Sequence, residues 1–259
     1  MYSDYHIHSF FSFDSEENPE NNIKQAIKLG MKQLCFTDHQ DFNWPVVGES
    51  PVIDFDSYFS TLSDLREKYR DSIEVLIGIE LGLMESTGDL CKNLLEKYSF
   101  DFVIGSCHIV ENMDPYVPAF WKNKNDKVAF ESYFKTMHQA LKSFHQIDAL
   151  GHMDYIVRYC PNKDLNYFVS DYLDYIDEIL KLIIQKEIKL EINTANLAKN
   201  FDFPNPHTDI LKRYRELGGN LVTIGSDAHK AANIGYEFSK ISDLIDRFDL
   251  KVYEKKYRF

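Results

Sequence analysis

The sequence has little cysteine, and the thiols that it has are not grouped. Its four cysteines, among 259 residues, are Cys35, Cys91, Cys107 and Cys160. No two of them have the CxxC spacing of thiol-based metal and redox sites. The first residues also lack a basic segment followed by an apolar stretch. We therefore expect no signal peptide, reduced thiols and a cytoplasmic location.

Positive charge is scarce as well, because 29 Lys and Arg stand against 41 Asp and Glu, for a net charge of −12. This balance argues against a general nucleic-acid binder, since phosphate backbones require clustered Lys and Arg. A small anionic substrate is not excluded, because bound metals can reverse the local field. No apolar run is long enough to span a membrane. We expect a small phosphorylated substrate as partner, no nucleic acid and no membrane; the composition leaves the oligomeric state open.

Repeats, low-complexity segments and linkers are also missing, so we expect a single domain over residues 1–259. Short β-rich stretches alternate with longer amphipathic ones, which is typical of a parallel α/β sheet. The predicted strands are Ser3–His8, Gln33–Thr37, Ile73–Glu80, Asp101–His108, Asp148–His152, Lys189–Asn193 and Leu221–Ser226, with Asp249–Val252 as a short addition. The predicted helices are Pro19–Gly30, Phe55–Tyr69, Gly88–Tyr98, Asp126–Phe144, Tyr172–Lys186 and Pro206–Leu217. The segments Asn43–Asp54 and Glu111–Asn125 are predicted as irregular loops. Periodicity alone does not decide whether the sheet closes into a barrel.

Most of the histidines stand where the predicted strands end. Six of the nine do so, namely His6, His8, His39, His108, His152 and His229. Acids and one amide join them, namely Asp38, Glu80, Asp154, Glu191, Asn193 and Asp227. Because the carboxyl ends of parallel strands point to the same face, these side chains should converge. A single histidine at a strand end usually forms a hydrogen bond or a cap, but imidazoles and carboxylates in this number predict a zinc, manganese or iron site.

The order of these motifs resembles that of a known family. HIHS, TDH, the Glu within VLIGIEL, SCH, GHMD and IGSDAH together resemble the PHP superfamily (polymerase and histidinol phosphatase) over nearly the whole chain. GHMDYIVRY, LEINTANL and DILKRYRELGGNLVTIGSDAH resemble its monofunctional histidinol-phosphate phosphatase branch. The resemblance implies a distorted (β/α)7 TIM-like barrel. It also implies a trinuclear site for three divalent metal ions (Zn, Mn or Fe) in the barrel mouth.

The resemblance further implies which residues bind each metal. The first metal would take His6, His8, Glu80 and Asp227, and the second would take Glu80, His108 and His152. The third would take His39 and His229, with Asp14 in place of a histidine that many relatives carry in the loop after HxH. A bridging role suits Glu80, because a carboxylate has two oxygens. The alternative for Asp14 is an ordinary loop or N-cap acid.

Two further acids near these motifs are expected to play supporting roles. Asp4 lies on the same predicted strand face as His6 but one step deeper, so we expect its carboxylate to accept a ring N–H of an imidazole and to support that ligand. Asp38 has the opposite parity to His39 in its strand. It is therefore interpreted as a structural residue or as support for a ligand.

The activity implied by the resemblance is hydrolysis of a small phosphate monoester, L-histidinol phosphate, by a metal-activated hydroxide. Arg158 is the candidate clamp on the phosphate, because a guanidinium binds phosphate oxygens in pairs. Lys199 and Asn193 are further candidates for substrate contact, and a solvent-exposed role is the alternative for Arg158 and Lys199. Asp41 and Asp154 each lie two residues past a predicted ligand. Either could protonate the leaving alkoxide, and the sequence does not choose between them.

The organic part of the substrate needs its own contacts. Acidic and aromatic residues in the loops around Trp44, Asp114 and Trp121 could receive the imidazole and ammonium groups.

Two alternatives to histidinol-phosphate hydrolysis are open. The first alternative keeps the metals but hydrolyses nucleotides or other small phosphate esters, or cleaves nucleic acid as a 3′–5′ exonuclease. The second is a metal-binding barrel without turnover. The acidic balance disfavours the exonuclease, and the presence of the expected ligands disfavours the inactive module.

Overall fold

The computed structural model describes residues 3–45, 52–162, 167–199 and 201–256. The strands in these ranges are β1 (Asp4–Ile7), β2 (Gln33–Phe36), β3 (His39–Gln40), β4 (Glu74–Ile77), β5 (Ile79–Gly82), β6 (Val103–Ser106), β7 (Ala149–Leu150), β8 (Lys189–Asn193), β9 (Leu221–Gly225) and β10 (Lys251–Val252). The α-helices are α1 (Pro19–Lys28), α2 (Phe55–Tyr69), α3 (Gly88–Lys97), α4 (Asp126–Ser143), α5 (Leu173–Gln185), α6 (Ala195–Ala198), α7 (Thr208–Glu216) and α8 (Phe238–Arg247). None of these helices is long and apolar enough to cross a membrane.

The strands pair in parallel, as the alternation of strands and helices predicts. One sheet has the order β1-β2-β4, and the other has the order β10-β9-β8-β7-β6-β5-β3. Only a few residues separate β2 from β3, and a single glycine separates β4 from β5. At that break a Cβ on Gly78 would lie 2.7 Å from the carbonyl oxygen of Phe102, so only glycine fits there. The two sheets are therefore joined by strands that change partners midway.

The remaining edges meet where β1 lies against the end of β9. Ile7 and Ala228 form a parallel bridge. The Asp227 N–H donates to the carbonyl of His6 at 2.8 Å, and the His8 N–H donates to the carbonyl of Ala228 at 2.9 Å. These contacts close the strands into a distorted barrel, which confirms the predicted fold class. The extent of a single domain over residues 1–259 stays a prediction.

The two ends of the barrel have opposite chemical character. A small buried cluster fills the end where the strands begin; its members are Tyr5, Cys35, Leu76, Phe102, Ile104 and Ala149. Tyr253, just past β10, packs against this cluster. The larger hydrophobic core lies between the strands and the helices around them. Apolar side chains therefore fill the interior at one end of the barrel, and the histidines and acids that follow the strands collect at the other.

The predicted elements agree with the structure except at short or uncapped segments and at Ile73–Glu80, which is predicted as one strand but forms two, β4 and β5, in different sheets. The Phe55–Tyr69 helix and the Lys189–Asn193 strand have the predicted bounds. The short β3 and α6 were not predicted, and neither was α8 (Phe238–Arg247). The apolar spacing of α8 is visible in the sequence, but Glu237 before it has a positive φ of 56° and forms no side-chain cap. Residues 46–51 of the first predicted loop lie outside the described residues, and the second loop is irregular apart from a 3-10 turn at Pro118–Trp121.

Candidate metal centre

The histidines that follow the strands meet at one end of the barrel, as their positions in the sequence predict. The ring centroids lie 4.1 Å apart for His8 and His229, and 4.3 Å apart for His8 and His39. They lie 5.1 Å apart for His6 and His8. His108 and His152 continue the group, with centroids 5.3 Å apart. Imidazoles from β1 and from the ends of other strands therefore surround one volume.

Glu80 lies at the centre of this group and is fully buried. Its Oε2 is 2.8 Å from Nδ1 of His39 and 3.2 Å from Nε2 of His6. Its Oε1 is 3.0 Å from Nε2 of His152 and 3.3 Å from Nε2 of His108. Each oxygen thus faces a different pair of imidazoles. This is the arrangement that a bridging carboxylate requires.

The ligand sets implied by the resemblance are brought together in space. In each of three groups the possible ligand atoms lie within 4.8 Å of one another; the groups are His6, His8 and Glu80, then Glu80, His108 and His152, then His8, His39 and His229. Asp227 joins the first group, with Oδ1 3.3 Å from Nε2 of His8. Asp14 joins the last, with Oδ2 3.0 Å from Nε2 of His229 and 3.7 Å from Nε2 of His39. The assignment of each residue to a metal stays a prediction.

The pKa shifts of His8 and Glu80 suit a bound cation. Burial lowers the pKa of His8, and the neighbouring His229 and His39 lower it further. Burial would raise the pKa of Glu80, but His6, His39 and His108 hold it well below its usual range. His8 therefore offers a neutral imidazole, and Glu80 offers a carboxylate. Both are the protonation states in which these side chains bind metals.

Several atoms of the cluster are buried without a normal hydrogen bond. Within the described ranges these include Nε2 of His6, Nε2 of His8 and Oε2 of Glu80. Buried polar atoms are usually satisfied, and leaving one unpaired costs about 1–3 kcal/mol. Divalent ions between the imidazoles and the carboxylates would satisfy all three atoms. The residues present therefore fit a multinuclear metal site.

Two further carboxylates contact the Nδ1 atoms of His6 and His108, whose Nε2 atoms face Glu80. Asp41 Oδ1 is 2.9 Å from Nδ1 of His108, and Glu191 Oε1 is 2.6 Å from Nδ1 of His6. The sequence predicts Asp41 only as a proton donor, and it predicts no specific role for Glu191 among the converging acids. The available signal for Glu191 was its place between Leu190 and Ile192 near the end of a predicted strand.

The prediction for Asp4 is wrong. Its Oδ1 accepts the backbone N–H groups of His6 and Ser226, and its Oδ2 accepts that of Gly235. Its carboxylate oxygens are directed to these backbone groups and not to an imidazole, because the pairing of β1 with β2 shifts register between Asp4 and Ile7 and the simple alternation of faces fails. Burial raises the pKa of Asp4 to about 6, although these N–H groups oppose the change.

Asp38 is structural, one of the two roles interpreted for it. Its carboxylate accepts hydrogen bonds from the backbone and hydroxyl groups of Ser9 and Ser12. The Ser12 hydroxyl in turn lies 3.0 Å from Nδ1 of His8. Asp38 therefore fixes the turn that follows β1 and carries His8.

Arg158 lies in the 3-10 turn Tyr155–Tyr159, beside the cluster. Its Nη1 donates to Oδ2 of Asp227 at 2.7 Å, and its Nη2 donates to Oδ1 of Asn193 at 2.6 Å. Its Nε donates to Oδ1 of Asn205 at 2.7 Å. Burial would lower the pKa of Arg158, but Asp227 more than offsets this, so the guanidinium stays charged. The positive charge is thus held at the edge of the cluster.

A cavity of about 660 Å³ opens above the cluster. The lining includes Asp14, His39, His108, His152, Arg158, Lys199, Asp227 and His229. Aromatic residues and one further acid complete much of the wall, namely Phe13, Trp44, Tyr116, Tyr155, Tyr159 and Asp114. Imidazoles and carboxylates therefore lie at the same cavity as two cationic side chains and an aromatic wall.

Of the residues considered for proton transfer or substrate contact, Asp154, Asn193, Asp41 and Trp121 do not line this cavity. Asp154 is buried and accepts hydrogen bonds from Nδ2 of Asn205 at 2.6 Å and from the His207 N–H at 2.8 Å. Asn193 and Asp41 are buried beside the cluster. The loop before Trp121 reaches the cavity through Tyr116 and Val117. Trp121 itself belongs to the hydrophobic core, and its Nε1 donates to the carbonyl of Pro115.

Comparisons with known proteins agree with this site. Residues 4–195 match the model of the PHP domain. A probable histidinol-phosphatase of Clostridium acetobutylicum is 41% identical over 254 residues, which are 97% of this chain and 95% of that protein. The histidinol-phosphatase of Lactococcus lactis is 32% identical over 94% of this chain and 90% of its own length. A crystal structure of histidinol phosphate phosphatase from Lactococcus lactis, complexed with zinc, L-histidinol and phosphate, has a TM-score of 0.89 at 31% identity and covers 96% of this chain and 94% of that one. The chain therefore belongs to the PHP family.

Proposed function

We propose that this protein is a metal-dependent phosphomonoesterase that hydrolyses L-histidinol phosphate to L-histidinol and phosphate. The observation that carries the proposal is the meeting of the histidine and carboxylate cluster with Arg158 and an aromatic wall at one cavity. The relatives named histidinol-phosphatase, which match this chain over nearly its whole length, support the choice of substrate.

The proposed cofactors are three divalent ions, with zinc, manganese and iron as candidates. His6, His8, Glu80 and Asp227 would hold the first ion, and Glu80, His108 and His152 the second. His39, His229 and Asp14 would hold the third. When bound, such ions lower the pKa of water and offset the negative charge that a phosphate ester carries.

Arg158 is proposed to hold the phosphate. A guanidinium has five N–H groups, and three of them donate to Asp227, Asn193 and Asn205. The two that remain, one on each Nη, are available to nonbridging oxygens of a phosphate in the cavity. Asn193 therefore supports the substrate through Arg158, and Lys199 is proposed as a second cation on the cavity wall. The Lys199 ammonium lies 3.3 Å from the Tyr159 hydroxyl, which directs it along that wall.

Asp41 is the preferred candidate for the residue that protonates the leaving alkoxide. Its Oδ1 contacts His108, and its Oδ2 lies 3.8 Å from Nδ1 of His39, so it belongs to the cluster. Asp154 remains the second candidate. Burial raises its pKa, which suits an acid, but the hydrogen bonds from Asn205 and His207 hold it in the wall behind the cavity. A pH–rate profile should lose its basic limb in Asp41→Asn and keep it in Asp154→Asn.

The organic part of the substrate is proposed to lie against the aromatic wall. Asp114 is mostly buried there and accepts the Tyr116 N–H at 2.7 Å and the Tyr155 hydroxyl at 3.4 Å. Its negative charge and the neighbouring aromatic faces are the contacts that a cationic amine or imidazolium favours. The wall would thus distinguish histidinol phosphate from smaller esters that lack these groups.

A substrate panel tests the proposed function. Phosphate release is measured with L-histidinol phosphate, several nucleoside monophosphates and a labelled oligonucleotide, each with zinc, manganese or iron present. We expect kcat/KM to be highest for L-histidinol phosphate. A higher value for a nucleotide or release of nucleotides from the oligonucleotide would refute the proposed substrate while leaving the metal site intact.

A further inference from the structure

Glu191 is a buried carboxylate that none of the proposed metal groups uses. It is the third residue of β8 (Lys189–Asn193) and is 1% exposed. It is absent from the groups of described residues whose ligand atoms lie close enough to share an ion. Each of its oxygens instead contacts a residue that is proposed to bind a metal. A carboxylate buried in this way needs a partner for each oxygen, so these contacts define what it does.

The two oxygens of Glu191 hold two different ligand residues. Oε1 lies 2.6 Å from Nδ1 of His6, and Oε2 accepts the backbone N–H of His152 at 2.7 Å. The Nδ2 group of Asn193 donates to the same Oε2 at 3.2 Å. For the carboxylate oxygen to accept a hydrogen bond at this contact, Nδ1 of His6 must carry the proton. In the neutral ring that binds a metal, Nε2 of His6 is then free of a proton, and it lies 3.2 Å from Oε2 of Glu80, inside the cluster.

The neighbouring strand leaves room for this contact. Gly225 ends β9, and a Cβ at that position would overlap both Oε1 of Glu191 and Cβ of His6. Gly151, beside His152, would bring a Cβ to 3.6 Å from Oε2 of Glu191 and into the Ser106 hydroxyl. The carboxylate thus reaches both ligand residues across positions that have no side chain.

From this geometry we infer that Glu191 is a positioning residue that fixes the ring tautomer of His6 and the backbone of His152, and thereby couples the first and second metal positions. This inference rests on the metal site of the proposed function. Carboxylates that accept the second N–H of a ligating histidine commonly change metal affinity about 10–100-fold when they are lost. Because one carboxylate supports two positions, its loss should weaken both of them together.

Glu191→Gln is the sharpest variant because it keeps the shape of the side chain. An amide has one oxygen, but the His6 ring N–H and the His152 backbone N–H both require an acceptor. One of them must therefore face the NH2 group, or His6 must move its proton to Nε2 and block its metal-facing nitrogen. The matched control is Asp148→Asn, the same chemical change at the other end of the barrel, where Oδ2 accepts the Val103 N–H at 2.9 Å.

The experiment measures metal content and metal affinity rather than turnover. Wild type, Glu191→Gln and Asp148→Asn are loaded with zinc, analysed for ions per chain and titrated with a competing chelator, with circular dichroism as the folding check. We expect Glu191→Gln to bind about 10–100-fold more weakly at two positions, and we expect Asp148→Asn to match wild type. Metal-loaded wild type with equal affinity in Glu191→Gln would overturn this inference alone, whereas metal-free wild type would overturn the proposed function as well.

A measurement on the wild type keeps the inference testable if Glu191→Gln does not fold. Long-range ¹H–¹⁵N correlation spectra of the zinc-loaded protein report which nitrogen of each histidine carries a proton. We expect a protected proton on Nδ1 of His6, and no proton on its Nε2. A His6 ring with the proton on Nε2 would contradict the positioning role of Glu191.

Discussion

Replacement of Arg158 by lysine keeps the positive charge but removes the planar fork that joins three acceptors. The guanidinium is 4% exposed and donates to Asp227, Asn193 and Asn205. A lysine ammonium is a point charge and can keep the contact with Asp227, so the bonds to the two amides are lost. At about 1.5 kcal/mol for each bond from a charged donor, the loss is about 3 kcal/mol of stability. For a chain of this length, that corresponds to a fall in Tm of about 6–12 °C.

The same variant separates two roles of Arg158 in activity. Because lysine still pairs with Asp227, we expect metal content to stay at the wild-type level. Loss of paired phosphate contacts should raise KM for L-histidinol phosphate and lower kcat. Arg158→Ala should do both more strongly and should also lower metal content, since Asp227 would lose its buried partner. Calorimetry, elemental analysis and steady-state phosphate release measure these effects.

The control for Arg158→Lys is Arg213→Lys, which loses a similar fork far from the cavity. Arg213 binds both oxygens of Asp177 through Nε and Nη2 at 2.7 and 2.6 Å. We expect Arg213→Lys to leave KM and kcat unchanged. Arg158→Lys with wild-type Tm and wild-type kinetics would refute the role assigned to the fork.

Three further variants test other parts of the structure. Gly82→Ala places a Cβ on Oδ1 of Asp41. The Asp41 carboxylate must then move away from His108. A chelator titration should therefore show about 10–100-fold weaker metal binding. Asp14→Ala should lower the metal content by about one ion per chain, measured by elemental analysis, because that carboxylate is proposed for one metal. Asp101→Asn should lose about 1–3 kcal/mol at pH 7 in denaturant unfolding. Burial would raise the pKa of Asp101, but the Ile77 N–H, Arg66 and Lys255 lower it below 3.8. The loss should therefore shrink as the pH falls through that lowered pKa.

Each of these variants has a contrary outcome. Wild-type metal affinity in Gly82→Ala would show that Asp41 does not orient His108. Full metal content in Asp14→Ala would return Asp14 to the role of a loop acid. A loss of unfolding free energy in Asp101→Asn that stays constant down to pH 2 would show that the charge of Asp101 does not contribute to stability.

The sequence predicts the fold and the meeting of the cluster because both follow from local pattern and strand direction. The alternation of β-rich and amphipathic stretches predicts the parallel sheet, and the family resemblance implies its closure into a barrel. The position of His6, His39 and His108 at strand ends brings them together once every strand points the same way. Even the proximity of Asp14 to His39 and His229 agrees with its expected place.

The contacts that were not predicted depend on features that cannot be read from the sequence pattern. Asp4 contacts the backbone of His6 but not its imidazole because of a register shift in β1, which strict alternation cannot anticipate. Trp121 lies in the core because a 3-10 turn, Pro118–Trp121, directs it inward. The role of Glu191 depends on the absence of a side chain at Gly225 on the next strand. Such a close approach is visible only when the strands are placed side by side.

Metal content together with phosphate release tests the central claim most directly. Purified protein is analysed for zinc, manganese and iron, and the same sample is assayed with L-histidinol phosphate before and after treatment with a chelator. The proposed trinuclear site predicts about three divalent ions per chain, loss of phosphate release with the ions, and recovery when they are restored. Protein that holds well under two ions per chain, and that releases no phosphate with any of the three metals supplied, would contradict the account.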